Sequence, residues 1–313
     1  MPCYHPVEGY RRHNGQWTAK DEPYPDMLPT MTRPCGMCTG CRFKKQQEWT
    51  VRNMNEASHW GKNNCFITLT YKDEQLPENN SLDYTHWQKF IRSLKKRNNG
   101  KTIRYFAVGE YGDQRGRPHF HALLFNHRFT DLEPLQGRGM KNLYKSKKLQ
   151  EAWVTADQEP RGYVSVGDVN VKTASYVSGY VFKKIFKHND PEYYSAYQSI
   201  DPETGKYSDN GLCLREPEKP LMSRRPGIGY PFYKKFYSDM YRMDADCIHD
   251  LDGRKFPIPH YYDTKFKSDF PLEYSEIQTQ REEKALLYTA DDLIQHEKNF
   301  KARQALYSRI KLK

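Results

Sequence analysis

Two histidines one residue apart, His119 and His121, raise the question of metal chemistry. In a strand, side chains two positions apart face the same side, so both imidazoles would present to one surface. Phe120 and the run Ala122-Leu123-Leu124-Phe125 favour a strand over a loop. Glu110 ends the preceding candidate strand. If the two strands pair through the intervening YGDQRGRP turn, its carboxylate comes beside the imidazoles. Two nitrogens and one oxygen leave coordination positions open on Mg²⁺, Mn²⁺ or Zn²⁺. The plainer alternative is one histidine bonded to a backbone carbonyl and the other solvated.

Tyr176, Tyr180 and Lys183 form a second group. Helical positions four and seven apart lie about 40° and about 20° from the starting residue, so two phenols and an ammonium would share one face. A phenol titrates near 10, so as a nucleophile it needs a nearby cation or a metal-polarised phosphate. The plainer alternative is an amphipathic helix in a chain with 24 tyrosines.

Cys35, Cys38 and Cys41 follow one another at x2 spacing, and Cys3 or His5 could complete a zinc site that clamps the N-terminus. An iron–sulfur cluster and free buried thiols are the competing readings. The Ser223-Arg224-Arg225-Pro226-Gly227-Ile228-Gly229 segment reads as a turn whose guanidiniums could grip phosphates or pair with nearby acids. Arg115, Arg117, Lys183, Lys184 and Lys187 neighbour the presumed reacting residues and are stronger candidates for phosphate contact. A solvated helix edge is the plainer alternative for Lys184 and Lys187.

These side chains need a scaffold. Residues 1–41 read as loops without strand or helix period, and 42–60 as a basic helix. Strands are expected near 65–71, 102–110, 119–125 and 162–169, and helices over 85–97, 146–155 and 171–187. Segment 128–145 reads as irregular. The order β-α-β-β-α-β-α approaches a split βαβ plan, an α+β antiparallel sheet backed by helices. Beyond 188 a Pro/Tyr/Asp-rich stretch leads to one closing helix over 274–310. The expected domains are an N-terminal cysteine-bearing cap with the basic helix (1–60), a catalytic domain (61–190) and a C-terminal extension (191–313).

Composition narrows the partners. Fifty basic against 39 acidic residues give a net charge of +11, favouring a polyanion, with nucleic acid first. The 24 Tyr, 15 Phe and 5 Trp must carry much of the core. No apolar run is long enough to span a membrane, and the first residues show no apolar signal segment, so a membrane role is not expected. Gly-Arg-Gly-Met at 137–140 is no phosphate-binding loop, so no nucleotide cofactor is expected.

FITLTY (66–71), RPHFHALLF (117–125) and YVSGYVFK (176–183) resemble, in order, the three motifs of HUH-type rolling-circle replication initiators of the two-tyrosine superfamily. CYHP (3–6), PCGMCTGCR (34–42) and MSRRPGIGY (222–230) are similar to the initiators of Microviridae, the gokushovirus branch in particular. The likeness covers most of residues 1–235. It implies an HUH endonuclease fold, with a ferredoxin/RRM-like sheet, and a metal at His119 and His121 with Glu110 as acidic third ligand. It further implies Tyr180 with Lys183 as the core nucleophile pair and Tyr176 as the second tyrosine. The implied reaction is attack by a tyrosine on single-stranded origin DNA, leaving a 5′-phosphotyrosine link and a free 3′-OH. The second tyrosine then closes the circle. Mg²⁺ or Mn²⁺, host helicase and polymerase, and the cytoplasm of a bacterial host are the corresponding expectations. The competing classes are a non-enzymatic basic DNA-binding or packaging protein and a hydrolytic metallophosphodiesterase.

Overall fold

The computed structural model describes residues 3–11, 17–19, 31–98, 100–112, 116–137, 142–184, 215–242, 247–249, 253, 255–283 and 288–311. The chain divides into two compact units, Met1–Lys45 with Phe270–Lys313, and Gln46–Asp269.

In the first unit, β1 (Val7–Arg11), β2 (Trp17–Ala19) and β3 (Met31–Arg33) form an antiparallel sheet of order β2-β1-β3. The expectation of loops before residue 41 is corrected here. The strands are short, and two of them are three residues long, so no alternating apolar pattern could develop to reveal them. Helix α1 (Thr39–His59) starts in this unit and contains the boundary between the two.

The second unit is built on a seven-stranded sheet. Its strands are β4 (Asn64–Leu69), β5 (Arg104–Tyr111), β6 (Pro118–Phe125), β7 (Leu132–Pro134), β8 (Tyr144–Ser146), β9 (Val164–Gly167) and β10 (Pro220–Met222). The order is β10-β5-β6-β4-β9-β8-β7, with antiparallel neighbours throughout. The four strands expected from sequence occupy its centre. Strands β7 and β8 replace the irregular segment expected over 128–145, and β10 was not anticipated.

Alternation along the central strands sends apolar side chains to both faces. One face carries Ile67, Leu69, Ala107, Phe120, Ala122 and Leu124 against α2 (Tyr84–Arg97), whose Trp87, Phe90, Ile91 and Leu94 are buried as its sequence stripe requires. Asp83 caps that helix by accepting the Thr85 N–H, and Lys95, Lys96 and Arg97 sit favourably at its negative end. Between sheet strands, α3 (Lys147–Gln150) is much shorter than the helix expected over 146–155. After it the chain turns back so that Val154 bridges Pro160.

The other face carries Phe66, Phe106, Val108, Leu123 and Phe125 against Ala174 and Val177 of α4 (Val171–Lys184). Asn170 and Thr173 cap α4 reciprocally: the Asn170 carboxamide accepts the Thr173 N–H, and the Thr173 hydroxyl accepts the Asn170 N–H. Residues 185–187 of the expected helix lie outside the described ones. From α1, Gln46 donates to the Ser175 carbonyl at 2.9 Å and Asn53 to the Ser178 hydroxyl at 3.2 Å, bracing α4 along its length.

A buried ion pair joins α1 to the sheet. Arg104 Nε donates to Glu56 Oε1 at 2.5 Å, and its Nη2 donates to the carbonyls of Pro226 and Gly227. Glu56 Oε2 accepts the Gly229 N–H at 2.7 Å. The SRRPGIG turn is therefore held from below, while Arg224 and Arg225 stay exposed. The turn leads into α5 (Tyr230–Met240), which packs with α6 (His260–Asp269) through stacked Tyr233 and Tyr262. A two-stranded ribbon, β11 (Ile248–His249) and β12 (Lys255–Phe256), lies between them in sequence.

The closing helix expected over 274–310 is two helices, α7 (Pro271–Glu283) and α8 (Ala290–Lys311). Both belong to the first unit, where Phe300 packs against Tyr4 and Phe43. No helix among the described residues is long and apolar enough to cross a membrane.

Candidate metal centre beside a tyrosine helix

Strand register brings the acidic residue to the histidines. Across the β5–β6 hairpin Glu110 pairs with His119 and Val108 with His121. Glu110, His119 and His121 alternate onto the same face, and their ligand atoms lie within 4.8 Å of one another. Glu110 Oε2 is 3.6 Å from the Nε2 of both histidines.

Each imidazole is oriented through its other nitrogen. His119 Nδ1 lies 3.0 Å from the Arg117 carbonyl, an acceptor only, which leaves Nε2 as the lone-pair nitrogen when the ring is neutral. His121 Nδ1 lies 3.0 Å from the Thr68 hydroxyl of β4, its register partner. Phe66 stacks on the His121 ring at 5.6 Å between centroids. Burial, and then the neighbouring His119, push the His121 pKa down to about 3, so this imidazole is neutral at physiological pH and needs to lose no proton to bind a cation.

The donor set fits a metal ion. Glu110 is 2 % exposed, and its Oε2 is a buried carboxylate oxygen without a hydrogen-bond partner. Such an atom is costly unless a cation balances it. Two imidazole nitrogens and this oxygen supply three ligands and leave further positions free for substrate.

Helix α4 places Tyr176 against this group. Its hydroxyl lies 3.3 Å from His121 Nε2, its ring meets His121 and Phe66 edge-on, and it is 41 % exposed. Tyr180 and Lys183 follow on α4 one and two turns later. Their side chains, like that of Lys184, lie outside the described ones, as does Arg115 altogether. Arg117 is engaged in an ion pair with Asp73 and donates to the Tyr71 carbonyl at 2.7 Å. Arg224 and Arg225 occupy the turn after β10.

Helices α1 and α4 cover only part of this face. Beyond them lies an open groove lined by Thr68, Thr70, Tyr163, Ser165, Lys145 and Lys147. Thr68 both lines the groove and makes the hydrogen bond that orients His121, so the groove adjoins the histidine group at this residue. Tyr163, at the edge of β9, is 77 % exposed. Neither Thr68 nor Tyr163 was singled out from sequence, although threonines alternating within the apolar FITLTY run signal one polar face.

The second converging group is Cys3, Cys35, Cys38 and Cys41, in the first unit. His5 instead lies 3.0 Å from Glu297. The described residues thus include two groups with the donors to bind metal ions.

The model of the replication-associated protein ORF2/G2P family matches residues 64–189, from β4 through α4. Replication-associated protein ORF2 of Spiroplasma virus 4 is 30% identical over 269 residues, covering 82% of this chain and 75% of that protein. Replication-associated protein VP4 of Bdellovibrio phage phiMH2K is 26% identical over 284 residues, covering 88% and 80%. Replication-associated protein ORF4 of Chlamydia phage 1 is 35% identical over 255 residues, covering 77% and 56%. No solved structure matches the chain. A match that begins at the strand orienting His121 and runs through the tyrosine helix, with relatives aligned over most of the chain, establishes that this protein belongs to the replication-associated ORF2/G2P family of small phages.

Proposed function

We propose that the protein is an HUH-type initiator endonuclease that nicks and rejoins single-stranded origin DNA in rolling-circle replication. The observation that carries this reading is a partnerless buried carboxylate oxygen 3.6 Å from two imidazole nitrogens, with a phenol 3.3 Å from one of them. The central strand order β5-β6-β4-β9 supports it, because a split βαβ sheet arranges its strands in this way.

His119, His121 and Glu110 would hold Mg²⁺ or Mn²⁺, which would polarise the scissile phosphate and offset its developing charge. A tyrosine of α4 attacks phosphorus: a tyrosyl O–P bond forms, the bond from phosphorus to the 3′ oxygen breaks, the phenol loses its proton and the departing oxygen gains one. Tyr176 and Tyr180 divide nicking and closure between them, with Lys183 favouring the phenolate. The phosphodiester bond energy is kept in the protein–DNA link, so resealing needs no nucleotide. The DNA strand crosses the open half of the sheet face, with Arg115, Arg117, Lys184, Arg224 and Arg225 as candidate phosphate contacts. In sequence, the cysteine-bearing cap precedes the nuclease domain and the extension after residue 190 follows it. Unwinding and extension fall to host enzymes in the bacterial cytoplasm.

Incubation of the full chain with Mn²⁺ and a labelled origin oligonucleotide, followed by a denaturing gel, tests the reading. A covalent adduct lost in Tyr180→Phe supports it, and Tyr176→Phe should then spare the first nick and stop closure. Salt-sensitive retention without an adduct identifies a binding or packaging protein instead. Cleavage without attached protein identifies a hydrolase.

A further inference from the structure

The four cysteines of the first unit converge at the base of its small sheet. Cys3 precedes β1 and Cys35 follows β3, just outside the strand pair Val7↔Arg33. Cys38 and Cys41 belong to the segment that opens α1. None of the four is in a disulfide. Cys3 Sγ lies 3.6 Å from Cys35 Sγ and 3.9 Å from Cys38 Sγ, and all four sulfurs fall within 4.8 Å of one another.

Those separations discriminate between metals. A zinc tetrathiolate with bonds of about 2.3 Å has sulfur–sulfur edges of about 3.8 Å. A four-iron cluster binds each cysteine to a different iron and holds the sulfurs much farther apart. Backbone donors surround the sulfurs: Cys35 N–H points to Cys3, Met37 and Cys38 N–H to Cys35, and Tyr4 and Cys41 N–H to Cys38, at 3.2–3.5 Å. A thiolate sulfur is a stronger acceptor than a thiol, so these five donors would stabilise Cys3, Cys35 and Cys38 as thiolate ligands of a bound cation. The strands of this sheet are only five, three and three residues long, and small sheets of this kind are a setting in which structural metals recur.

We propose that Cys3, Cys35, Cys38 and Cys41 hold one zinc ion as a closed tetrathiolate that fastens the β1–β3 sheet to the start of α1. The ion has a structural role and no open position for substrate. This inference stands apart from the nuclease reading, since no residue is shared.

The test is metal analysis of the full chain carrying His119→Ala and His121→Ala, which removes the other group's ligands. About one zinc per chain is expected, falling to none when Cys38→Ser is added. Should the Cys38→Ser protein be insoluble, cobalt(II) loaded into the soluble histidine variant decides the matter. Intense thiolate-to-cobalt absorption with tetrahedral ligand-field bands supports the site, and octahedral bands without thiolate absorption overturn it. Absence of metal with four free thiols, iron accompanied by acid-labile sulfide, or zinc that leaves with the histidines would each overturn the proposal. Adduct formation by the wild-type protein is measured separately, so failure of one reading is not failure of the other.

Discussion

Among the described residues, the two groups with metal-ligand donors differ in the features that separate chemistry from architecture. On the sheet, two imidazoles and one carboxylate come from adjacent strands, leave positions vacant, and face an exposed phenol and an open groove. At the small sheet, four sulfurs lie within 4.8 Å of one another, with backbone N–H groups directed at them. Incomplete coordination next to a nucleophile suits catalysis, and complete coordination by soft ligands suits a clamp. Rigidity comes from different sources. The histidines are fixed by a strand ladder with an apolar core behind it, whereas the cysteines sit beside strands of three to five residues. On the two proposals, one region would position a metal, while the other would be positioned by one.

The sharpest way to break this comparison is to remove the histidines. Replacing His119 or His121 by Ala should lower adduct formation at least about 100-fold, the scale of losing a main electrostatic contributor to the transition state. Most affinity for single-stranded DNA should remain, because phosphate neutralisation dominates it. Joint loss of binding and cleavage in a folded variant would count against that separation.

Acid should act next, and on the sheet unit. There His121 is buried and His86 and His127 are half-buried, and desolvation lowers their pKa values to about 3, about 4 and about 4, from an ordinary 6.5. Below pH 6.5 the unfolded chain takes up protons that the folded chain refuses, so stability is lost as pH falls from 6.5 towards the folded-state values. For fully buried His121 alone, going from pH 6.5 to 5 costs roughly 2 kcal/mol. Urea unfolding of the metal-free protein at pH 7 and pH 5 measures this. An acid limb unchanged in His121→Gln would show that the imidazole is not held neutral.

The sequence discloses this region unevenly, for physical reasons. The apolar strands around Ile67 and Leu123 and the stripe through Trp87, Phe90 and Leu94 are periodic, and periodicity is what burial imprints on a sequence. Glu110, His119 and His121 were legible because hairpin pairing follows from the proximity of two strands. Strands β7, β8 and β10, three residues each, are too short to carry a period. The Arg104–Glu56 pair and the Thr68–His121 bond depend on long-range register, at sequence separations of 48 and 53, which no local pattern reveals. Tyr163 could be found only after the fold had shown which half of a face stays uncovered.

Thr68 refines the comparison at the open site. Thr68→Val keeps the shape but removes the oxygen that holds His121 Nδ1, so Mn²⁺ affinity should fall about 10-fold or more. Thr68→Ser should retain most of it. Titration calorimetry on both variants distinguishes an orienting hydroxyl from a packing methyl, and the zinc content of the cysteine group should not change. Equal affinities in Val and Ser would remove the orienting role.

The smallest expected effect concerns the groove beside the histidine group. Tyr163 offers an exposed ring at the edge of β9, and Gly162 beside it lets that segment lie against the β4 end: a Cβ there would meet the Thr70 carbonyl oxygen at 2.2 Å. Because the obstructing atoms are backbone, Gly162→Ala would displace the segment itself, whereas Tyr163→Ala should alter only the surface. If a base stacks on the ring, Tyr163→Ala should weaken binding of an origin strand by about 1 kcal/mol, a several-fold rise in Kd, and Tyr163→Trp should restore it. Binding should be compared between the full-length strand and one trimmed progressively on each side of the nick. The penalty of Tyr163→Ala should vanish once the nucleotide that reaches the groove has been trimmed away, which locates the polarity of the strand relative to the histidines. A penalty independent of strand length would mean that the ring serves the fold of β9 rather than the DNA, and the open half of the sheet would then lose its claim to be the path of the substrate.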